Sequence, residues 1–135
     1  MWIHIPVLFL LSLTLLLFLL TATSRIRAVK NGDIALQDIR YVEKHAFPER
    51  IRLLGNSYDS QFQQPVLFIA LLILLHIEQM TGQFWFVLST VFVAARYWHS
   101  YEHVLGSNLR LRTLAFGLSS FCLFFAWFSF LFDRI

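Results

Sequence analysis

Four apolar blocks alternate with polar joints along the chain, at about residues 5–22, 63–80, 84–104 and 109–132. The first stretch, Ile5 to Thr21, spans roughly 26 Å as a helix, close to the thickness of a bilayer's hydrocarbon core. The second begins at Pro65, a residue suited to the first turn of a helix. It is short, and reaches bilayer thickness only if Gln61 to Gln64 continue the helix. The third leads from Phe84 into a polar end near Val104, and the fourth ends at Asp133-Arg134. The pattern predicts an all-α membrane protein with four transmembrane helices in one domain over residues 1–135.

The joints set the orientation. The polar stretch over about residues 24–62 carries Arg25, Arg27, Lys30, Arg40, Lys44, Arg50 and Arg52. Arg110 and Arg112 follow the joint Gly106-Ser107-Asn108, whereas Thr81-Gly82-Gln83 has no Lys or Arg. By the positive-inside rule the two basic joints are cytoplasmic and both termini lie outside. A cleaved signal peptide is the rival reading of the first block, but no Lys or Arg precedes it and three follow it. Within the long joint, Asn31-Gly32-Asp33 reads as a turn. Ile34 to His45 has helical spacing through Ile34, Leu36, Ile39 and Val42. Pro48 interrupts that pattern, and Gly55-Asn56-Ser57 reads as a second break. His76 and Glu78, near the end of the second block, are expected to reach the far interface.

Composition narrows the class. A chain of 135 residues with 58% hydrophobic and 14% charged content is not an ordinary soluble domain. The net charge of +3 follows the placement of arginines about the bilayer and is no nucleic-acid footprint. The single Cys122 excludes an internal disulfide and is expected to pack in an apolar run.

The chemistry gathers at the end of the third block, where Arg96, His99 and His103 share one face of a helix. A guanidinium and two imidazoles are too costly to point at lipid, so they face an interior and nominate a functional site. His99-Ser100-Tyr101-Glu102-His103 matches the H-x-x-E-H pattern of inverted zinc proteases. Against that reading, no glutamate follows as a third ligand, and Arg96 sets a fixed cation one turn from His99. The other reading is anion binding: Arg96, His99 and Arg112 forming a cationic pocket, with Asn108 bracing the loop or joining the pocket. In the fourth block, Ala115, Ser119, Cys122, Ala126 and Ser129 form a stripe of small residues. It serves packing within the chain or between subunits.

Two motifs resemble those of the MAPEG family, the membrane-associated proteins in eicosanoid and glutathione metabolism. They are Ala95-Arg96-Tyr97-Trp98-His99-Ser100, followed by His103, Asn108 and Arg112, and Gln61-Phe62-Gln63-Gln64-Pro65-Val66-Leu67-Phe68. The flavour is that of short bacterial members, which implies the bacterial inner membrane with periplasmic termini. The resemblance further implies a four-helix bundle assembled as a homotrimer, with glutathione in a cytoplasm-facing cationic cleft between subunits. Carried over by position, Arg112 would stabilise the thiolate, Arg96, His99 and His103 would hold the tripeptide, and Gln63 would meet its amine. Arg27 would line the cleft wall. This chain departs from the glutathione-using members at Gln63, where they carry glutamate, and at Ser60, where asparagine is common. His103 and Phe116 stand where eicosanoid-forming members have tyrosines, so no specific eicosanoid activity is expected. The implied function is a glutathione-dependent transferase or peroxidase acting on lipophilic electrophiles, in contact with membrane lipids. The alternative is a non-catalytic lipid-binding scaffold.

Overall fold

The computed structural model describes residues 2–41 and 44–133, and the regular elements among them are all helical. In chain order these are α1 (His4–Lys30), α2 (Leu36–Tyr41), α3 (Glu49–Asp59), α4 (Gln64–Ile77), α5 (Gln83–Val104) and α6 (Leu109–Phe132). Single 3-10 turns, Lys44–Ala46 and Ser60–Phe62, precede α3 and α4.

α1 runs beyond the first apolar block, for 27 residues or about 40 Å, so Arg25, Arg27 and Lys30 ride on the helix itself. Its end is built by the expected turn. Gly32 takes φ +80°, its N–H donates to Val29 O (3.1 Å), and the Asp33 N–H donates to Ala28 O (2.9 Å). That bond pair is a Schellman stop, which needs the left-handed conformation glycine adopts freely. After it Ile34 is buried with Ala28, Phe47 and Ile51 in a small apolar cluster. The helix expected over Ile34–His45 shortens to α2, whose start is tied by the Ala35 N–H to Asp38 Oδ2 (3.1 Å). Val42 of that pattern, and Arg134 at the end of the fourth block, lie outside the described residues.

The long basic joint is more ordered than its composition implies. Gly55-Asn56-Ser57 is no break: it lies inside α3, with Gly55 and Ser57 buried. Glycine serves there by closeness of approach, since a Cβ at residue 55 would meet Arg25 Nη2 of α1 at 2.9 Å. From Glu49 to Ile77 the chain then forms one helical run of 29 residues through the Ser60–Phe62 turn. This is how the short second block gains its length. Pro65 sits in the first turn of α4, where its missing N–H costs nothing. α4 ends with Gln79 at φ +56° and Met80 N–H bonded to Leu75 O (2.9 Å), a second stop of the same kind.

The main core joins α1, α4, α5 and α6 through residues such as Leu10, Leu72, Leu75, Trp85, Leu123 and Phe130. At its centre Phe68 and Phe92 stack with ring centroids 4.0 Å apart. The small stripe on α6 packs inside the chain: Ala115, Ser119, Cys122 and Ala126 are buried and Ser129 is half-buried. Phe121, Phe124, Phe125, Phe128 and Phe132 are exposed on the rest of that helix. Three segments, α1, the α3–α4 run and α6, are long and apolar enough to cross a bilayer. Such an outer surface of leucine and phenylalanine belongs in lipid, and the protein is an integral membrane protein.

Candidate functional site

The cationic stripe of α5 points inward, as its cost in lipid requires. Arg96 is entirely buried, and its Nη2 donates to the carbonyl (3.2 Å) and hydroxyl (2.9 Å) of Ser60. The guanidinium thereby clasps the elbow where α3 passes into α4. Its Nε and Nη1 are buried with no hydrogen-bond partner, and no acidic side chain among the described residues pairs with it. Full enclosure of a permanent cation without a counter-charge leaves a strong local positive field.

Gln61 occupies the same elbow, 2% exposed. Its Nε2 reaches Ser57 O (3.3 Å), Ser60 Oγ (3.4 Å) and Ser100 Oγ (3.4 Å), while its Oε1 accepts nothing. The side chain of Gln63, the glutamine expected to meet a ligand amine, is exposed. The reason is helical phase. Leu54, Ser57, Gln61, Pro65 and Phe68 recur at steps of three and four and are all buried, whereas residue 63 falls off that stripe. Gln64 does separate work, tying α4 to α6 through its Nε2 to Ser120 Oγ (2.6 Å) and through the Ser119 hydroxyl to its Oε1 (2.9 Å).

His99 Nδ1 lies 3.2 Å from the Arg112 carbonyl. A carbonyl only accepts, so Nδ1 carries the proton in this bond. The His99 ring stands 5.6 Å from that of His103 and 5.5 Å from Phe116. His103 is half-buried with Nδ1 lacking a partner. Arg112 is half-buried on the first turn of α6, held near His99 by its own backbone. Asn108 caps α6, its Oδ1 accepting from Arg110 N (3.0 Å) and Leu111 N (3.4 Å). For the H-x-x-E-H reading, Glu102 Oε1 contacts Trp98 Nε1 (3.4 Å). No group of three His, Cys, Asp or Glu among the described residues gathers as a metal site.

Beside this cluster, between α1, α3 and α5, lies an open cavity of about 1000 Å³. Leu13, Leu17, Leu20 and Leu54 line its apolar side, and Arg27, Arg50, Asn31 and Asp33 its polar side. Arg27 thus stands apart from Arg96 and His99, on the cavity wall. Ser100 belongs to both places, lining the cavity and meeting Gln61. Tyr97, also on the wall, donates to Phe9 O (2.8 Å) and pairs with Ser12 Oγ (2.9 Å), which fastens α5 to α1. The arrangement joins an amphipathic groove to a cation-centred polar interior through one serine.

No curated protein and no solved structure matches the chain. The model of the MAPEG family does match, over residues 3–132. With an all-helical fold, three membrane-spanning segments and an enclosed guanidinium between them, this near-complete match shows that the chain belongs to the MAPEG family.

Proposed function

We propose that the protein is a glutathione-dependent membrane enzyme of transferase or peroxidase type, acting on lipophilic electrophiles drawn from the bilayer. One observation carries this reading: Arg96 is wholly enclosed and has no neutralising carboxylate among the described residues. An anionic ligand is what such a field favours. The polar groups fit a tripeptide with two carboxylates and an amine. Arg112 and the two histidines supply positive or donor character, Arg96 adds its charge from behind them, and Gln61 Oε1 is a buried acceptor with no partner. Gln63 enters this scheme only as an outer contact, since its side chain is exposed.

In this reading α5 also spans the membrane, as the third of four crossings, its 22 residues covering about 33 Å. Burial of Arg96 and His99 among neighbouring helices makes that crossing affordable. Both termini lie outside, the basic joints face the cytoplasm of a bacterial inner membrane, and three copies assemble with clefts between them. Glutathione, when bound, supplies the nucleophilic or reducing sulfur. Arg112 favours the thiolate by its charge, so no separate base is required. Arg96 holds the field from behind Ser60 and Gln61, His99 keeps the start of α6 in register, and Arg27 guards the groove where the lipophilic partner lies.

A lipid-binding scaffold without catalysis is the second reading. The apolar groove favours it, as do Phe116 against His99 and neutral glutamines at 61 and 63. Stopped-flow absorbance in the thiolate band, on the detergent-solubilised full chain, separates the two. The enzyme reading expects a glutathione-dependent signal that Arg112→Ala reduces by about tenfold or more. An undiminished signal in that variant overturns the mechanism. No signal in the wild type, with lipid still bound, supports the scaffold.

A further inference from the structure

A second niche, apolar over most of its wall but edged by charged side chains, opens on the far side of α1 from the groove, and the mechanism above makes no use of it. It holds about 180 Å³ and is walled by Thr21 and Arg25 of α1, Lys44, and Tyr58 and Asp59 of α3. Phe18 forms its apolar edge, its ring 5.9 Å from that of Tyr58.

Two buried polar atoms on this wall have no partner. Thr21 is only 5% exposed, yet its Oγ1 makes no hydrogen bond, and Arg25 Nε is likewise buried and unbonded. Orphaned groups of this kind are rare in folded proteins because each costs the desolvation of a polar atom. The charges are uneven as well. Lys44 Nζ pairs with Asp59 Oδ2 (2.7 Å) and donates to Asn56 Oδ1 (3.0 Å), which neutralises the one carboxylate in the niche. Arg25 has no such counter-charge: its guanidinium lies over the Phe47 ring, 5.1 Å from the centroid, with no acidic partner among the described residues. A hydroxyl, a free guanidinium edge and the third N–H of a lysine surround a space fit for one tetrahedral oxyanion.

Depth along α1 identifies the source of that anion. Thr21 lies seventeen residues beyond His4, about 26 Å along the helix, near the level where hydrocarbon gives way to headgroups. Tyr58, its ring 5.1 Å from that of Phe62, adds an amphipathic aromatic of the kind enriched at that level. We propose that Thr21, Arg25, Lys44 and Tyr58 form a binding site for the phosphate of an anionic phospholipid headgroup, with an acyl chain running along Phe18 and Ala22. Basic pockets between helices on the basic side of a membrane protein suit such headgroups. The site rests on none of the glutathione chemistry.

The test is native mass spectrometry of the full chain released from nanodiscs of equal parts phosphatidylglycerol and phosphatidylcholine. The wild type is expected to retain phosphatidylglycerol about fivefold over phosphatidylcholine, and Arg25→Gln to erase most of that preference. Thr21→Val, which keeps the shape and removes only the hydroxyl, is expected to lower it by about half; it carries the test if Arg25→Gln fails to fold, as judged by circular dichroism. Wild-type retention in the folded variants overturns the site. So does equal retention of the two lipids by the wild type. Loss of bound lipid to millimolar inorganic phosphate overturns the lipid source and leaves a free-ion site.

Discussion

The two ends of the molecule are built on opposite principles. Around Phe68, Phe92, Leu72, Leu75 and Trp85 the helices meet through apolar side chains. Around Thr21, Arg25, Ser57, Gln61, Arg96 and His103 they enclose polar groups, and every buried side-chain atom left without a partner among the described residues belongs to one of these six. The first end maximises contact and, among the described residues, holds no buried side-chain nitrogen or oxygen without a partner. The second accepts the cost of incomplete satisfaction, which folding alone does not reward. That asymmetry sets stability at one end and, on the proposed function, binding at the other.

The sharpest way to break the comparison is to cut into the apolar end. Phe92→Ala removes one partner of the central stack and should destabilise the protein by about 3–5 kcal/mol, read as an earlier midpoint in detergent denaturation. Glutathione binding per folded molecule should stay as in the wild type. A binding loss as large as the stability loss would mean that the two ends are one unit.

A smaller effect tests the polar end. Gln61→Glu puts a carboxylate beside Arg96 and the unpaired Oε1 position, whereas Gln63→Glu adds one to an exposed side chain. The first should change glutathione affinity, measured by calorimetry, by an amount on the order of 1–2 kcal/mol; the second should leave it within error. The reverse ranking would restore the site expected from the linear sequence. The smallest effect concerns Gln79, held at φ +56° at the end of α4. Gln79→Gly relieves that conformation and should raise thermal stability by about 1 kcal/mol, with no change in ligand binding.

Much of this was open to sequence reasoning. The four apolar blocks, the Gly32 turn, Pro65 in a first turn, Asn108 before α6 and the inward stripe of Arg96, His99 and His103 all follow from local rules of period, capping and charge. The elbow did not. Ser60 and Gln61 sit in a stretch whose polar composition and Gly55-Asn56-Ser57 resemble a loop. Its helical phase shows only once α3 and α4 are known to be continuous. Gln61 lies on the buried stripe, whereas Gln63, at φ −104° and ψ −100° between the 3-10 turn and α4, is exposed.

Sequence alone therefore determined membrane residence and the need to bury α5's cations, because a long apolar run and a guanidinium carry their solvation costs wherever they fold. Tertiary structure decided which polar groups meet those cations: Ser60 at Arg96, the Arg112 carbonyl at His99, and Lys44 beside Asp59 with Arg25 left free. Those partners come from distant parts of the chain, and only helix packing sets the distances and the phase that pair them.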